Sequence, residues 1–219
     1  MRPEFSQLDS LKTPPTLKDM AFDAIRDSIV FGTLKPGEIY SEQVLATELG
    51  ISKTPVHDAI VKLLMRGFIN ILPQRGFQVK VLSHKDVSDI YEFRTALEKQ
   101  VMRHITPKIT DAQLEDCRPF LADINQFDSV MQFLQNDIRF HCYMAELTTN
   151  PQIINALEGI WDLCLWVGYG AMGQKKIAEN ATNEHSAIFK ILERHDAAAA
   201  EIVITKHIQA TLERVLEAM

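Results

Sequence analysis

The stretch from Ser41 to Ile69, SEQVLATELGISKTPVHDAIVKLLMRGFI, constrains the fold of this chain more than any other. It reads as two short helices joined by a tight turn, the second opening in polar residues. Ser41 offers an N-cap oxygen, apolar Val44, Leu45 and Leu49 face one side, and Gly50 ends the first helix in a conformation that glycine adopts cheaply. Ser52 caps a second helix whose start, Lys53-Thr54-Pro55, places proline in the first turn, where a missing N–H costs nothing. Val56, Ile60, Leu63 and Leu64 turn inward at spacings of three and four, which leaves Lys53, Thr54, His57 and Asp58 facing outward. This is the pattern of a helix-turn-helix with its donors at the tip of the second helix, where phosphates or base edges can meet them.

The residues that follow extend the pattern. Phe68-Ile69-Asn70-Ile71-Leu72 and Phe77-Gln78-Val79-Lys80-Val81 are β-prone runs around the turn Pro73-Gln74-Arg75-Gly76. Such a hairpin reads as a wing: Arg75 at its tip can reach a minor groove, and Gly76 lets the backbone come close.

The two parts of the chain differ in charge. Residues 1–82 carry ten Lys+Arg against nine Asp+Glu, and residues 83–219 thirteen against twenty, within an overall −6. That balance argues against unspecific coating of nucleic acid but permits specific binding where cations cluster. Cys117, Cys142 and Cys164 form no C-x-x-C pair and are odd in number, which fits reduced thiols in a cytoplasmic protein. No signal peptide is read at the start, and no run approaches the roughly 18 to 20 apolar residues of a membrane span. The expected organisation is a mobile tail over residues 1–15, a winged helix-turn-helix over 16–82, a linker at 83–85 and an all-helical domain over 86–219. Six helices are predicted there: 86–105, 110–125, 128–148, 151–168, about 177–194 and 196–219. The stretch 168–179, with three glycines and two lysines, reads as a loop.

Asp137 and His141 stand four apart on one predicted helix, so their Cβ atoms lie about 5 to 6 Å apart and the two side chains can converge on one ion. His185 and His207 occur on later helices. One carboxylate and three imidazoles would suit a divalent transition metal with open positions, but the spacing equally allows histidines that merely pack or face solvent, as His84, His104 and His195 are expected to do. Arg94 stands four residues before Glu98, a spacing that reads as a surface ion pair.

Taken together, Leu34-Lys35-Pro36-Gly37-Glu38, Ser41-Glu42, Leu45-Ala46, Leu49-Gly50-Ile51-Ser52-Lys53-Thr54-Pro55-Val56 and the Arg75-Gly76 wing resemble the GntR superfamily of bacterial transcriptional regulators, in its FadR-like branch. The resemblance extends over nearly the whole chain. Asp137, His141, His185 and His207 match, in order and surroundings, the ligand positions of the all-helical effector domain called FCD. The resemblance therefore implies a bound metal, with zinc, nickel and manganese as candidates, and six helices are similar to the VanR-type subgroup. Arg94, in Tyr91-Glu92-Phe93-Arg94-Thr95-Ala96-Leu97-Glu98, matches an arginine that points into the family's cavity, where a planar fork could bind a carboxylate beside the metal. The implied effector is a small organic acid. Trp161, Trp166 and Tyr169 either line that cavity or serve as core or interface residues.

The resulting expectation is a mainly α protein that binds a palindromic DNA operator as a homodimer, through Ser41, Gln43, Ser52, Lys53, Thr54, Pro55, His57, Arg75 and Gly76. Effector binding would act on the operator through the segment near 82–85, and repression is the family's usual mode. The sequence also admits two rivals. One is a metalloenzyme acting on a small acid, for which Glu184 beside His185 is the only obvious base; the other is a regulator that senses the metal itself. Where relatives commonly carry arginines, this chain has Gln43, Lys53 and His57, so an operator that differs from the family's usual half-site, or weaker and more salt-sensitive binding to that half-site, is expected.

Overall fold

The computed structural model describes residues 14–121, 126–171 and 175–219. The expected mobile tail thus lies, for residues 1–13, outside the described residues. The chain divides into two compact units: the first takes the chain up to Ile29 with Leu34–Val79, the second Val30–Thr33 with Lys80–Met219.

The first unit holds helix α1 (Leu17–Val30), strand β1 (Ile39–Tyr40), helices α2 (Glu42–Glu48) and α3 (Lys53–Met65), and strands β2 (Ile69–Leu72) and β3 (Gly76–Val79). Ser41 accepts from the Gln43 N–H and so caps α2, whereas Ser52 stands at the N-cap of α3 without a side-chain bond. Gly50, at φ 66°, makes the turn between them. Helix α3 buries Val56, Ala59, Ile60 and Leu63, one stripe at i, i+3, i+4 and i+7. Ala59 completes that stripe, and Leu64, expected inside, is 39% exposed. Val44 and Leu49 are exposed as well, so α2 packs chiefly through Ala46. Phe68, Ile69, Phe77 and Val79 close the core from the sheet.

The expected hairpin is present with a third strand that the sequence did not suggest. The order is β1-β3-β2, all antiparallel, with Tyr40 opposite Phe77. Two residues are too few to show an alternating pattern, so β1 exists only through its pairing. The turn at the hairpin tip is closed by the Arg75 N–H donating to Leu72 C=O at 3.0 Å. Gln74 takes a positive φ of 63° there, the conformation a type II turn asks for after proline.

The second unit is helical: α4 (His84–Ile105), α5 (Asp111–Cys117) continued by a 3₁₀ turn at Arg118–Leu121, α6 (Val130–Glu146), α7 (Pro151–Ala171), α8 (Lys175–Leu192) and α9 (Ala197–Ala218). Residues 83–85, expected as a linker, form the start of α4, where Ser83 and Asp86 bond each other's backbone as a capping box. The expected loop over 168–179 is mostly helix. Its glycines Gly168 and Gly170 lie inside α7, because an apolar run upstream carries the helix on to Ala171. The core packs α4, α6, α7, α8 and α9 through Val87, Met102, Phe140, Met144, Leu157, Ile188, Leu192, Ile204 and Ile208. No helix among the described residues is long and apolar enough to cross a membrane.

Candidate functional site

Helix α4 buries Val87, Tyr91, Arg94, Glu98, Val101, Met102 and Ile105. These recur at threes and fours, so Arg94 and Glu98 occupy positions of a stripe that is otherwise a core face. A charge at such a position is costly unless paired. Here the Arg94 Nε donates to Glu98 Oε1 at 2.6 Å, and Trp161 Nε1 donates to the same oxygen at 3.3 Å. The other oxygen, Oε2, lies 2.5 Å from His141 Nδ1. Arg94 does pair with Glu98, as the spacing suggested, but both side chains are only 3% exposed and not on the surface. Arg94 Nη2 is buried and has no hydrogen-bond partner among the described residues.

The four residues singled out on α6, α8 and α9 come together. One ligand atom from each of Asp137, His141, His185 and His207 lies within 4.8 Å of the others. His141 and His207 face each other through Nε2 at 3.2 Å, and His185 Nε2 stands 3.3 Å from Asp137 Oδ1. The three imidazoles are buried and Asp137 is half-buried. The outer nitrogens are oriented by carboxylates: Glu98 at His141 and Glu184, at 2.7 Å, at His207 Nδ1. Glu184 is in turn gripped by Arg214, which donates Nη1 and Nη2 at 2.7 and 2.9 Å. Phe140 stacks on His185 with ring centroids 4.2 Å apart.

The electrostatics follow from this packing. Burial pushes the His141 pKa below that of a free imidazole, against the opposing pull of Glu98. Burial pushes His185 down further, and its neighbours His207 and His141 add to the effect. Burial alone would raise Glu98, but Arg94 and His141 outweigh it and keep the carboxyl well below its usual range. Glu184 is likewise drawn down, to about 2, by Arg214 and His207 against the opposing effect of burial.

This donor set fits a divalent transition metal. Ligation needs neutral imidazoles with a free Nε2, and carboxylates on Nδ1 supply that tautomer. Bonds of about 2.0–2.2 Å put adjacent ligand atoms roughly 3 to 3.4 Å apart, which the His141–His207 and His185–Asp137 pairs already match. The buried His185 Nε2 has no hydrogen-bond partner among the described residues, an orphan that an ion would satisfy.

Other expectations divide. Trp161 reaches the cluster through Glu98, Trp166 is buried, and Tyr169 is partly exposed. His84, His104 and His195 are exposed, and His195 Nδ1 lies 3.0 Å from the Thr106 carbonyl. Not legible beforehand were the contact of Glu98 with His141 and the roles of Glu184 and Arg214 around the cluster. The signal for the burial of Glu98 was available, since it falls on the same stripe as Val87, Tyr91 and Val101.

In the first unit, Ser41, Gln43, Lys53, Arg75 and Gly76 line one cleft of about 350 Å³ between the starts of α2 and α3 and the β2–β3 turn. Ser52, Thr54 and His57 are exposed on α3 and its cap, with Pro55 half-buried. Gly76, at φ 107°, is required there: a Cβ would stand 2.1 Å from the Tyr40 carbonyl oxygen. Glu42, not singled out from the sequence, lies among these residues. Both of its oxygens are 3.2 Å from His57 Nδ1, and one is 3.9 Å from Lys53 Nζ.

Comparison with known proteins agrees with this division. Residues 17–79 match the family model described as bacterial regulatory proteins, gntR family, and residues 89–210 match the FCD domain. The chain is 26% identical over 186 residues to the Nta operon transcriptional regulator of Aminobacter aminovorans, covering 84% of this chain and 87% of that one. It is 27% identical to the HTH-type transcriptional repressor RspR of Escherichia coli, covering 87% and 85%. In fold it is similar to the solved structure of E. coli McbR/YncC, with a TM-score of 0.76 at 16% identity over 93% of this chain and 99% of that one.

Proposed function

Since the chain belongs to the gntR family of bacterial regulatory proteins and carries the FCD domain, we propose that it is a ligand-responsive transcriptional repressor controlled through a metal-centred pocket. Its relatives are transcriptional regulators and not enzymes, and the chain is a regulator of that type. The reading of its control rests on one observation: a buried cluster of Asp137, His141, His185 and His207 beside an arginine with an unpartnered donor.

In this reading the four residues hold a divalent transition metal, with zinc, nickel and manganese the candidates. The ion supplies an electrophilic centre for an oxygen of a small organic acid. Arg94 offers Nη2 to a second oxygen, so two fixed cations select a carboxylate of matching size. Glu184, the base that an enzyme reading would call on, is occupied by Arg214 and His207, which speaks against turnover at this site.

The operator is read by α3 and the β2–β3 turn. A homodimer would present two such surfaces to a palindromic site in the cytoplasm, where the chromosome lies. The acid acts on operator affinity to the extent that it prefers one arrangement of the protein. The test measures operator binding at fixed salt for zinc-loaded and chelated protein, titrated with a panel of hydroxy acids, sugar acids and dicarboxylates. At least one acid is expected to change operator affinity in the loaded protein and not in Arg94→Met. Operator affinity indifferent to every acid and to the metal would refute the control mechanism and leave a constitutive DNA binder.

A further inference from the structure

Glu42 opens α2, yet its carboxylate meets side chains of α3: His57 Nδ1 at 3.2 Å from both oxygens and Lys53 Nζ at 3.9 Å. The glutamate side chain is 17% exposed and the histidine 59%, so the inner edge of the ring is engaged and its outer edge is free. A carboxylate accepts and does not donate, so the ring nitrogen it faces must carry the proton. Of the charged groups that line the cleft beside Glu42, Lys53 on α3 and Arg75 from the β2–β3 turn are donors only and do not compete for the Nδ1 proton, and Asp58 follows His57 directly on α3, where adjacent residues do not face each other. In the neutral ring Nε2 is therefore an outward-facing acceptor. In a major groove that acceptor matches the amino group of adenine or cytosine, while guanine offers only acceptors, O6 and N7, and opposes it.

We propose that Glu42 is a specificity-determining residue: by holding the proton of His57 on Nδ1, it makes that side chain select adenine or cytosine over guanine at one base pair of each half-site. The proposal rests on the reading of the chain as a DNA-binding regulator whose α3 enters the major groove. Glu42 does not touch the base; it acts through His57 by fixing the tautomer.

Full-length wild type, Glu42→Gln, Glu42→Asp and His57→Ala each select from a randomised duplex pool at one salt concentration and about pH 8.5. His57→Ala is expected to lose its preference at one base pair per half-site, which locates the position. There, wild type and Glu42→Asp enrich adenine or cytosine about tenfold over guanine, the order expected for one base-edge contact. The amide of Glu42→Gln can donate to Nδ1 and leave the proton on Nε2, so this variant moves the preference towards guanine. A long-range ¹H–¹⁵N correlation spectrum of the free protein reads the tautomer without DNA: the proton sits on Nδ1 in wild type and passes to Nε2 in Glu42→Gln. An unchanged base preference in Glu42→Gln, guanine enrichment by wild type at that base pair, or an Nε2–H ring in wild type overturns the proposal. A wild type that enriches no sequence brings down the DNA-binding reading beneath it and the proposal together.

Discussion

Glu98 faces His141 Nδ1 with one carboxylate oxygen at 2.5 Å while its other oxygen takes the Arg94 guanidinium. One buried carboxylate thus orients a metal-type imidazole and compensates a buried cation. Glu184, only partly buried, likewise joins His207 to Arg214.

Outer carboxylates of this kind raise the donor strength of the imidazole and fix its direction. Glu98→Gln and Glu184→Gln are each expected to weaken zinc affinity by about 10- to 100-fold, measured by calorimetry against a competing chelator. Wild-type affinity in both variants would mean that neither imidazole binds the ion through Nε2.

Zinc should also stabilise the fold, because an ion held by residues from α6, α8 and α9 binds the folded chain. At a free concentration about 100 times its Kd, zinc adds about 2.7 kcal/mol to the unfolding free energy. Thermal denaturation with and without chelator reads this as a shift in Tm, and His207→Ala should show almost none.

Removing one partner of a buried ion pair leaves the other charge uncompensated. Arg94→Met is expected to cost about 3–5 kcal/mol in urea unfolding. The double variant Arg94→Met/Glu98→Gln removes both charges and should recover part of that loss. Strictly additive effects would show that the two groups do not interact in the folded protein.

Two glycines of the first unit separate conformation from space. Gly50 sits at φ 66° with nothing within 4 Å of a Cβ, so Gly50→Ala should cost only the left-handed conformation, about 1–2 kcal/mol. Gly76→Ala adds a clash with the Tyr40 carbonyl and should cost more, detaching β1 from β3. Operator affinity should fall in Gly76→Ala while zinc affinity stays unchanged.

Burial raises the Cys117 thiol from an ordinary value of 9.0 to about 12, against the opposing effect of Arg118. The folded state therefore favours the protonated thiol. Its contribution to stability is complete below about pH 9 and is lost as pH rises from there towards 12. At pH 8 Cys117 should be inert to a thiol reagent in the folded protein and react on unfolding. In Cys117→Ser the fall of stability above pH 9 should be shallower.

The parts legible from sequence are those whose causes are local. Ser41 and Gly50 delimit α2 through a cap and a positive φ. The stripe Val56, Ile60, Leu63 orients α3, and Gly76 marks a close approach of backbone. The helices described in the second unit, α4 to α9, carry their own periodicity and stops. The helical pair Asp137 and His141 could be read from a spacing of four, because one turn of helix puts both on one face. The linker at 83–85 and the loop at 168–179 were misread because a capping box and an apolar run upstream outweighed composition.

What the sequence determined by itself, then, is a winged helix-turn-helix followed by a helical domain, since caps, turns and apolar periods act over a few residues. Only the tertiary structure decided which polar groups meet. Strand β1 exists by pairing Ile39 with Gln78, and Glu42 reaches His57 across the turn between two helices. Glu98 turns from a surface partner into a buried bridge between Arg94 and His141, and His185 and His207 reach Asp137 from separate helices. Burial makes such contacts necessary, because a charge or imidazole removed from water must find its partner inside, and packing alone sets where that partner stands.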